Sequence, residues 1–249
     1  MVKKFLSIFS AFLMLLTGSA CSAKGDPVTE KDSVDGNGIK TVSVNYRNVH
    51  LVVEKGTSNQ LEVELDTYER GPELSVNKNG DHVDVVAEGG IFQLGFIKVG
   101  GFSGKSPKMT IKVPENYRQN LNFEGTAGNV KLRNLNLNEV SFSTKASHVD
   151  GAGITARRIN GNSASGNISI AFEKFATEMN LSSASGNIRL ELNDKHPDLT
   201  LETTTASGSR EIDFPIKGSK NSEGFSGTIG KGTHHVRLKT SSGSISLTP

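Results

Sequence analysis

A short corner motif recurs through the C-terminal half of the chain and constrains the fold more than any other feature. Its clear copies are Thr126-Ala127-Gly128-Asn129-Val130, Ala164-Ser165-Gly166-Asn167-Ile168, Ala184-Ser185-Gly186-Asn187-Ile188, Ala206-Ser207-Gly208-Ser209 and Ser241-Ser242-Gly243-Ser244-Ile245. Weaker copies are Ala146-Ser147-His148-Val149 and Phe225-Ser226-Gly227-Thr228-Ile229. Together the copies repeat with a period of roughly 19 residues, which is typical of solenoid repeats.

A short strand is expected after each corner. Ile168, Ile170 and Phe172 alternate with small or polar residues, and Ile188, Leu190 and Leu192 repeat the pattern. A period of two indicates a half-buried strand. Gly and Asn tolerate a positive φ, and Ser and Asn side chains bond to nearby backbone, so the motif predicts a sharp turn that starts a new strand.

One such unit cannot bury its apolar face alone, so successive coils are expected to stack about 4.8 Å apart. The sequence therefore predicts an all-β fold, a single-stranded parallel β-helix (β-solenoid) with coils of roughly 19 to 20 residues. Ten or eleven coils would form the rod. The expected internal ladders contain Val130 and Leu132, Ile168 and Ile170, Ile188 and Leu190, and Ile245 and Leu247.

The first part of the domain alternates less regularly. Apolar residues at 42–53, 61–65 and 83–85 have a period of two, and the strand at Ile111 and Val113 ends at Pro114. Terminal repeats of solenoids are often atypical, so these strands are expected to form hairpins that cap the solenoid. The alternative fold is an antiparallel β-sandwich, which explains the alternation but not the repeated corner.

The repeats resemble a known group of families. Ile111-Lys112-Val113-Pro114, Gly128-Asn129-Val130 and the recurring Ala-Ser-Gly-Asn-Ile are similar to the "putative adhesin" families of tandem β-strand repeats, which include the auto-transporter adhesin head domain and are common in lipoproteins of Gram-negative bacteria. The resemblance spans roughly residues 38–249 and implies a β-helix. Its motif is structural, so it assigns no catalytic or binding residue.

The N-terminus has the pattern of an export signal. Lys3 and Lys4 precede an apolar run, small residues follow, and Cys21 comes next, which indicates a signal peptide at residues 1–20. The arrangement resembles the lipobox of bacterial lipoproteins and implies acylation of Cys21, although Gly18 departs from the usual aliphatic residue. The alternative is ordinary cleavage after Ala20, which would leave a secreted protein with one free thiol.

A polar stretch separates this signal from the repeats. Residues 21–37 are expected to form a lipid-anchored flexible tether, and residues 38–249 one β-solenoid domain. Cys21 is the only cysteine, so an internal disulfide is excluded. Without residues 1–20 the chain has 26 basic and 26 acidic groups, and this neutral balance argues against nucleic-acid binding.

One basic cluster stands out near the C-terminus, formed by Lys231, His234, His235, Arg237 and Lys239. The last three of these residues share one face of an alternating strand. A solvated face is the favoured interpretation, and contact with an acidic glycan is the alternative.

No catalytic constellation emerges from the acidic residues or histidines. The pairs Glu62 with Glu64 and Asp81 with Asp84 are interpreted as solvated surface. His148 and Asp150 are neighbours on one strand face beside Ser147, and a surface hydrogen bond is the favoured interpretation. We expect no enzyme activity, no cofactor and no metal site.

Residues 89–102 are strongly apolar between paired glycines. They are interpreted as a strand pair buried at the end of the solenoid, with a mobile loop that docks a partner or a lipid as the alternative.

The sequence favours a non-catalytic lipoprotein of the cell envelope, anchored by its lipid to the outer membrane, whose solenoid surface serves adhesion or binds a glycan or a protein. The first alternative is an envelope scaffold or stress-regulatory accessory protein that binds a neighbouring protein through residues 89–102. The second is a polysaccharide-modifying enzyme, which would need two carboxylates at a defined separation.

Overall fold

The computed structural model describes residues 26–89, 91–94, 97–100, 106–220 and 224–249, and every regular element in these ranges is a strand. The first twelve are β1 (Pro27–Asp35), β2 (Thr41–Tyr46), β3 (His50–Lys55), β4 (Gln60–Tyr68), β5 (Pro72–Asn79), β6 (His82–Gly89), β7 (Ile91–Leu94), β8 (Ile97–Gly100), β9 (Lys108–Val113), β10 (Asn120–Ala127), β11 (Val130–Arg133) and β12 (Asn136–Ala146). The others are β13 (Val149–Ala152), β14 (Thr155–Ser163), β15 (Ile168–Phe172), β16 (Glu178–Ser183), β17 (Ile188–Leu192), β18 (Leu199–Thr205), β19 (Arg210–Ile212), β20 (Lys217–Lys220), β21 (Gly224–Ile229), β22 (His234–Thr240) and β23 (Ile245–Thr248).

Two long, mostly parallel sheets make up the solenoid, and β7 and β8 form a separate two-stranded sheet. Sheet A has the order β1-β4-β9-β3-β11-β13-β15-β17-β23-β19, and sheet B has the order β20-β21-β18-β22-β16-β14-β12-β10-β2-β6-β5. Each coil gives one strand to sheet B and, after a corner, one strand to sheet A. The prediction of a β-solenoid is confirmed, and the antiparallel sandwich is wrong because the central strands of both sheets run parallel.

Among the described residues, eight coils stack in the order β6/β9, β2/β3, β10/β11, β12/β13, β14/β15, β16/β17, β22/β23 and β18/β19. The expected ten or eleven coils are therefore too many. The spatial order also departs from chain order at both ends: β2/β3 lies inside β6/β9, and the last coil, β22/β23, is inserted between β16/β17 and β18/β19. The coils β2/β3 and β22/β23, which come first and last in the chain, therefore have parallel partners on both sides.

Apolar ladders run along the interior in the predicted register. One ladder joins Val130, Val149, Ile168, Ile188 and Ile245 through successive strand pairs of sheet A. All five side chains are at most 1% exposed. Consecutive partners from Val130 to Ile188 are 19 or 20 residues apart, which confirms the predicted coil length. Burying such a ladder stabilises the stack by roughly 1.5–3 kcal/mol for each large side chain.

The repeated glycines are required because neighbouring coils stack closely at the corners. This corrects the reason inferred from the sequence, which was their tolerance of a positive φ. Of the five predicted corner glycines, only Gly128 has a positive φ, 116°. A Cβ on Gly186 would lie 2.0 Å from the carbonyl oxygen of Gly166, and a Cβ on Gly208 would lie 1.8 Å from that of Gly243. The corner of one coil therefore touches the backbone of the next coil so closely that a side chain does not fit.

Hydroxyl groups inside the corners satisfy the backbone there. Ser183 Oγ accepts a bond of 2.8 Å from the N–H of Gly186. Thr240 Oγ1 accepts from the N–H of Gly243 at 3.1 Å and donates to the oxygen of Gly186 at 3.1 Å. These buried hydroxyls bond their own corner and the neighbouring coil, so buried backbone groups keep partners where the ladder of the sheet is interrupted.

Antiparallel strands close both ends. At the N-terminal end β1 pairs with β4, β4 with β9, and β5 with β6, so antiparallel capping strands are present as predicted. The prediction is wrong for residues 42–53, because β2 and β3 are coil strands with parallel partners on both sides. The flexible tether expected at residues 21–37 is wrong for Pro27–Asp35, which forms β1. This strand is mostly exposed but pairs along its whole length with β4, and Lys31 forms a 2.7 Å ion pair with Glu64.

At the other end, β21 pairs antiparallel with β18 and with β20. The weak motif copy at Phe225–Ile229 is therefore part of a hairpin strand and not a corner, so its inclusion in the repeat was wrong. In the parts of the chain that the structure describes, no helix is long and apolar enough to cross a membrane.

Candidate functional site

Cys21 lies outside the described residues, as does the signal peptide at residues 1–20. The lipid anchor therefore stays a prediction.

His148 and Asp150 each have a structural partner. His148 Nδ1 accepts a 3.1 Å hydrogen bond from the backbone N–H of Asn167 in the next coil. Asp150 forms an ion pair with Arg133 on the neighbouring strand. Ser147 is fully buried, and its Oγ accepts a 3.0 Å bond from the phenol of Tyr46. The three side chains thus bond to residues of other coils, and within the described residues no hydrogen bond joins them to one another.

In each of the two predicted acidic pairs, Glu62 with Glu64 and Asp81 with Asp84, the two carboxylates have different partners. Glu62 accepts a bond of 2.8 Å from Ser58 Oγ, whereas Glu64 pairs with Lys31. Asp81 forms a 2.9 Å ion pair with Lys40, and a hydrogen bond from that ammonium holds the pKa of Asp81 below its usual value. Asp84 Oδ1 lies 3.0 Å from His82 Nε2.

The basic cluster splits between two faces of β22. His235, Arg237 and Lys239 point outward from sheet B, as the alternation predicts. Arg237 forms a 2.9 Å ion pair with Glu202, so its charge is compensated. His234 packs edge-on against Phe175, with ring centroids 6.1 Å apart.

The apolar segment 89–102 is described only in part, because residues 90, 95, 96, 101 and 102 lie outside the described ranges. β7 and β8 form an antiparallel hairpin and, within the described ranges, pair with neither large sheet. The strand pair of the favoured interpretation is therefore present, and its burial at the end of the solenoid stays a prediction.

A broad concave surface lies on the outer face of sheet B. Strands β6, β2, β10, β12, β14 and β16 alternate there between buried apolar and outward polar residues, and the outward residues line an open groove of about 970 Å³. Strand pairing aligns them in two rows. The central row is Asp84, Ser43, Asn122, Ser141, Asn160 and Asn180. The second row, two residues further along each strand from β2 onward, is Asn45, Glu124, Ser143, Asn162 and Ser182.

Part of the groove is held in place by its own hydrogen bonds. Glu139 accepts from Ser141 Oγ at 2.9 Å and from Asn160 Nδ2 at 3.1 Å. Ser182 Oγ donates to Asn162 Oδ1 at 3.1 Å. The side chains that take part in these bonds are fixed relative to the sheet, and each carboxamide keeps hydrogen-bonding capacity for a ligand.

All the charged residues that line the groove are acidic. Asp84, Glu124 and Glu139 line it, together with uncharged residues and without any lysine, arginine or histidine. Arg158 lies 3.5 Å from Glu139 and His82 lies 3.0 Å from Asp84. Within the described ranges, the exposed Glu124 carboxylate has no ion-pair or hydrogen-bond partner. The unpaired negative charge of the groove is therefore concentrated at Glu124.

Sequence reasoning missed this groove because it concentrated on the corners. The signal is present: the outward positions before successive corners are Ser141 and Ser143, Asn160 and Asn162, and Asn180 and Ser182. They recur at the coil period, and aligning the coils on the alternation would have placed them in rows. Among the described residues, no group of three or more His, Cys, Asp or Glu side chains could hold a metal ion.

Solved structures that match this chain have names that refer to adhesion or lipid binding. A "putative cell adhesion protein" from Clostridium sporogenes is 14% identical, with a TM-score of 0.54, and the match covers 90% of this chain and 99% of that one. A "putative adhesin" from Bacteroides fragilis is 10% identical, with a TM-score of 0.41 and coverage of 88% and 97%. A "putative lipid binding protein" from Parabacteroides distasonis is 14% identical, with a TM-score of 0.29 and coverage of 90% and 97%. At these identities the Clostridium protein supports the fold alone.

No curated protein sequence matches the chain. The Toastrack DUF4097 family matches residues 39–175 and, in a second overlapping match, residues 162–248. The two matches together span both sheets of the solenoid and meet within the repeated coils. The chain therefore belongs to the Toastrack DUF4097 family.

Proposed function

We propose that the protein is a non-catalytic binding protein of the bacterial cell envelope, which attaches to a glycan or a protein through the outer face of sheet B. The observation that carries the proposal is the groove itself, a regular array of amide and hydroxyl side chains across six parallel strands. A rigid, repetitive polar face suits binding better than chemistry, because it offers many equivalent contacts and no converging reactive groups.

The surroundings of the groove carboxylates support a non-catalytic role. Glu139 accepts hydrogen bonds from Ser141 and Asn160 and lies 3.5 Å from Arg158. Asp84 lies 3.0 Å from His82. Hydrolysis of a glycosidic bond needs two carboxyl groups available to the substrate, and among the described groove residues Glu124 is the one acidic residue without such a partner.

The location is proposed from the N-terminal sequence. Acylation of Cys21 after removal of residues 1–20 would attach the solenoid to the outer membrane, and several acyl chains on one residue give stable anchoring. Because β1 begins at Pro27, only about five residues would separate the lipid from the folded domain. The solenoid would therefore lie close to the membrane surface, nearer than a 17-residue tether at residues 21–37 would allow.

The anchor is tested by labelling cells with a radioactive or clickable fatty acid. The wild-type protein should carry the label and remain with the membrane fraction, whereas Cys21→Ser should be unlabelled and soluble in the periplasm or medium. Cleavage after Ala20 without labelling would show an ordinary secreted protein and refute the lipid anchor.

The binding role is tested by presenting the purified full-length protein to immobilised host and bacterial glycans and matrix proteins. Both retention and the release of new reducing ends are recorded. Specific retention without cleavage is the expected result. Cleavage would overturn the non-catalytic role, and absence of retention on every defined ligand would overturn the binding role.

One observation favours the scaffold as a second candidate. The backbone of β7 and β8 forms its own hairpin between β6 and β9, where it pairs with neither solenoid sheet in the described ranges. A hairpin of this kind would suit contact with a neighbouring envelope protein. Replacing residues 90–102 by a short Gly-Ser linker should abolish crosslinking to such a neighbour and leave glycan retention unchanged if the scaffold role is correct.

A further inference from the structure

We infer that the groove on sheet B binds an extended glycan that contains amino sugars. The inference rests on the binding role proposed above and names the class of ligand for that face. Its evidence is the hydrogen-bonding chemistry of the groove, the spacing of its rows and the sign of its charge.

The hydrogen-bonding groups match those of a carbohydrate. The side chains of Asn45, Asn122 and Asn180 have no hydrogen-bond partner within the described residues, and each carboxamide can donate two bonds and accept two. Sugar hydroxyls also donate and accept, so amide and hydroxyl side chains complement them. Exposed aromatic rings do not line the groove, since Phe123 and Phe142 are buried, and recognition would therefore depend on hydrogen bonds.

The rows provide repeated contacts for a repeating ligand. Neighbouring parallel strands are about 4.8 Å apart, which is comparable to the length of one sugar ring along an extended chain. In the central row, Asn122, Asn160 and Asn180 lie on β10, β14 and β16. A glycan that crosses the strands would meet a polar side chain at each step, and weak contacts would add along its length.

The charge of the groove selects among glycans. Glu124 is exposed, lies in the second row next to Asn45 and Ser143, and has no basic partner among the described residues. Its carboxylate makes this part of the groove attractive to a protonated amine and repulsive to carboxylate or sulfate groups, whereas Glu139 and Asp84 already lie beside Arg158 and His82. Polyanionic glycans are therefore the wrong class, and glycans with amino groups are favoured over neutral ones.

The groove is also organised before binding. Glu139 holds Ser141 and Asn160, and Ser182 holds Asn162, by the hydrogen bonds described above. Side chains that are already fixed lose less conformational freedom when a ligand binds. Most of the conformational entropy lost on binding would therefore come from the long, flexible glycan, so measurable affinity would need several sugar units.

The test is calorimetric titration of the purified full-length protein with four linear hexasaccharides in mildly acidic, low-salt buffer. The probes are the hexamers of β-1,4-linked glucosamine, N-acetylglucosamine and glucose, and the hexamer of galacturonic acid. The expected order of affinity is glucosamine first, then N-acetylglucosamine and glucose, with galacturonic acid unbound. Added salt should weaken only the glucosamine hexamer, because screening acts on the charge contribution.

Three variants locate the site. Asn122→Ala and Asn180→Ala should each weaken glucosamine binding about fivefold, the equivalent of one net hydrogen bond. Glu124→Gln should weaken the glucosamine hexamer about threefold and leave the glucose hexamer unchanged. The matched control is Asn193→Ala, an exposed asparagine directly after β17 in the other sheet, which should bind like the wild type. None of the three groove side chains has an internal hydrogen bond, so melting temperatures should stay unchanged.

The outcomes separate this inference from the broader binding role. Binding of the galacturonic acid hexamer, or glucosamine binding that the groove variants leave unchanged, overturns the inference but leaves a glycan-binding protein. Retention on a defined matrix or envelope protein without binding of any hexasaccharide overturns the inference and leaves a protein-binding role. Failure to bind any defined glycan or protein overturns both.

Discussion

Replacing one corner glycine by alanine should destabilise the solenoid strongly, although the change adds a single methyl group. Gly186 lies at the corner between β16 and β17, and its φ is outside the left-handed region, so alanine can adopt the backbone conformation. The added Cβ would lie 2.0 Å from the carbonyl oxygen of Gly166 and 2.6 Å from its carbonyl carbon. Both atoms are backbone and belong to the neighbouring coil, so a side-chain rotation cannot relieve the overlap.

The cost follows from the separation that the methyl group requires. To restore an ordinary contact the two corners must move apart by more than about 1 Å, and such overpacking costs roughly 1–3 kcal/mol. The same movement strains two buried hydrogen bonds of Gly186. Its N–H donates to Ser183 Oγ at 2.8 Å, and its carbonyl oxygen accepts from Thr240 Oγ1 at 3.1 Å. Losing one of these bonds costs roughly 1–3 kcal/mol. We expect Gly186→Ala to lower the free energy of unfolding by about 3 kcal/mol. For a domain of this size the melting temperature should fall by about 6–12 °C.

The assay is urea and thermal unfolding of the full-length protein, followed by circular dichroism. Gly151→Ala is the matched control, because its Cβ would lie 3.2 Å from Ile170 Cγ2, a side-chain methyl that can shift. The control should change stability by less than about 1 kcal/mol, since alanine also reduces the freedom of the unfolded chain. If Gly186→Ala were as stable as Gly151→Ala, close backbone stacking would not be the reason for the repeated glycines.

Changes at three further positions test the contacts between coils. His148→Ala should lower the free energy of unfolding in urea by about 1 kcal/mol, because the backbone N–H of Asn167 loses its acceptor. His148→Asn should keep the wild-type stability, since asparagine accepts the same bond in the following coils. Equal loss of stability in both variants would contradict the argument. Tyr46→Phe should cost about 1–3 kcal/mol because the buried Ser147 Oγ loses its partner. Burial raises the pKa of Tyr46 to about 12, so the stability that it contributes below about pH 10 should decline as the pH rises towards 12. The decline should be less steep in Tyr46→Phe, and identical alkaline melting curves for the two proteins would refute this. Hydrogen bonds lower the pKa of Asp198 to about 2, so its contribution to stability should be present above about pH 4 and lost as the pH falls towards 2. The melting temperature of Asp198→Asn should therefore depend less on acidic pH than that of the wild type.

The candidate groove shows where sequence reasoning stops. The outward positions of each strand follow from alternation alone, and the shared face of His235, Arg237 and Lys239 was predicted on that basis and is confirmed. The groove also requires knowing which strands are neighbours. Asp84 reaches the central row only because β6 pairs with β2, and β2 pairs with β10 across a long stretch of sequence. Sequence distance carries no information about such contacts.

The N-terminal tether was misread for a related reason. Residues 27–35 have little apolar character, so they lack the core pattern that identifies a buried strand. β1 is held mainly by backbone hydrogen bonds to β4 and by the ion pair of Lys31 with Glu64, on the exposed edge of sheet A. A strand that buries few apolar side chains can be recognised only when the edge that it covers is known.

The sequence alone determined the coil. Its period, its corners and its ladder residues, such as Ile168 and Ile188, follow from local rules, because side-chain alternation and turn chemistry act within a few residues. Only the tertiary structure decided the order of the coils, including the insertion of β22/β23 between β16/β17 and β18/β19. Every coil presents similar apolar ladders to its neighbours, so the hydrophobic pattern specifies that coils stack without specifying which coil stacks on which. That choice depends on the fit between whole coils, down to the backbone contact at Gly186.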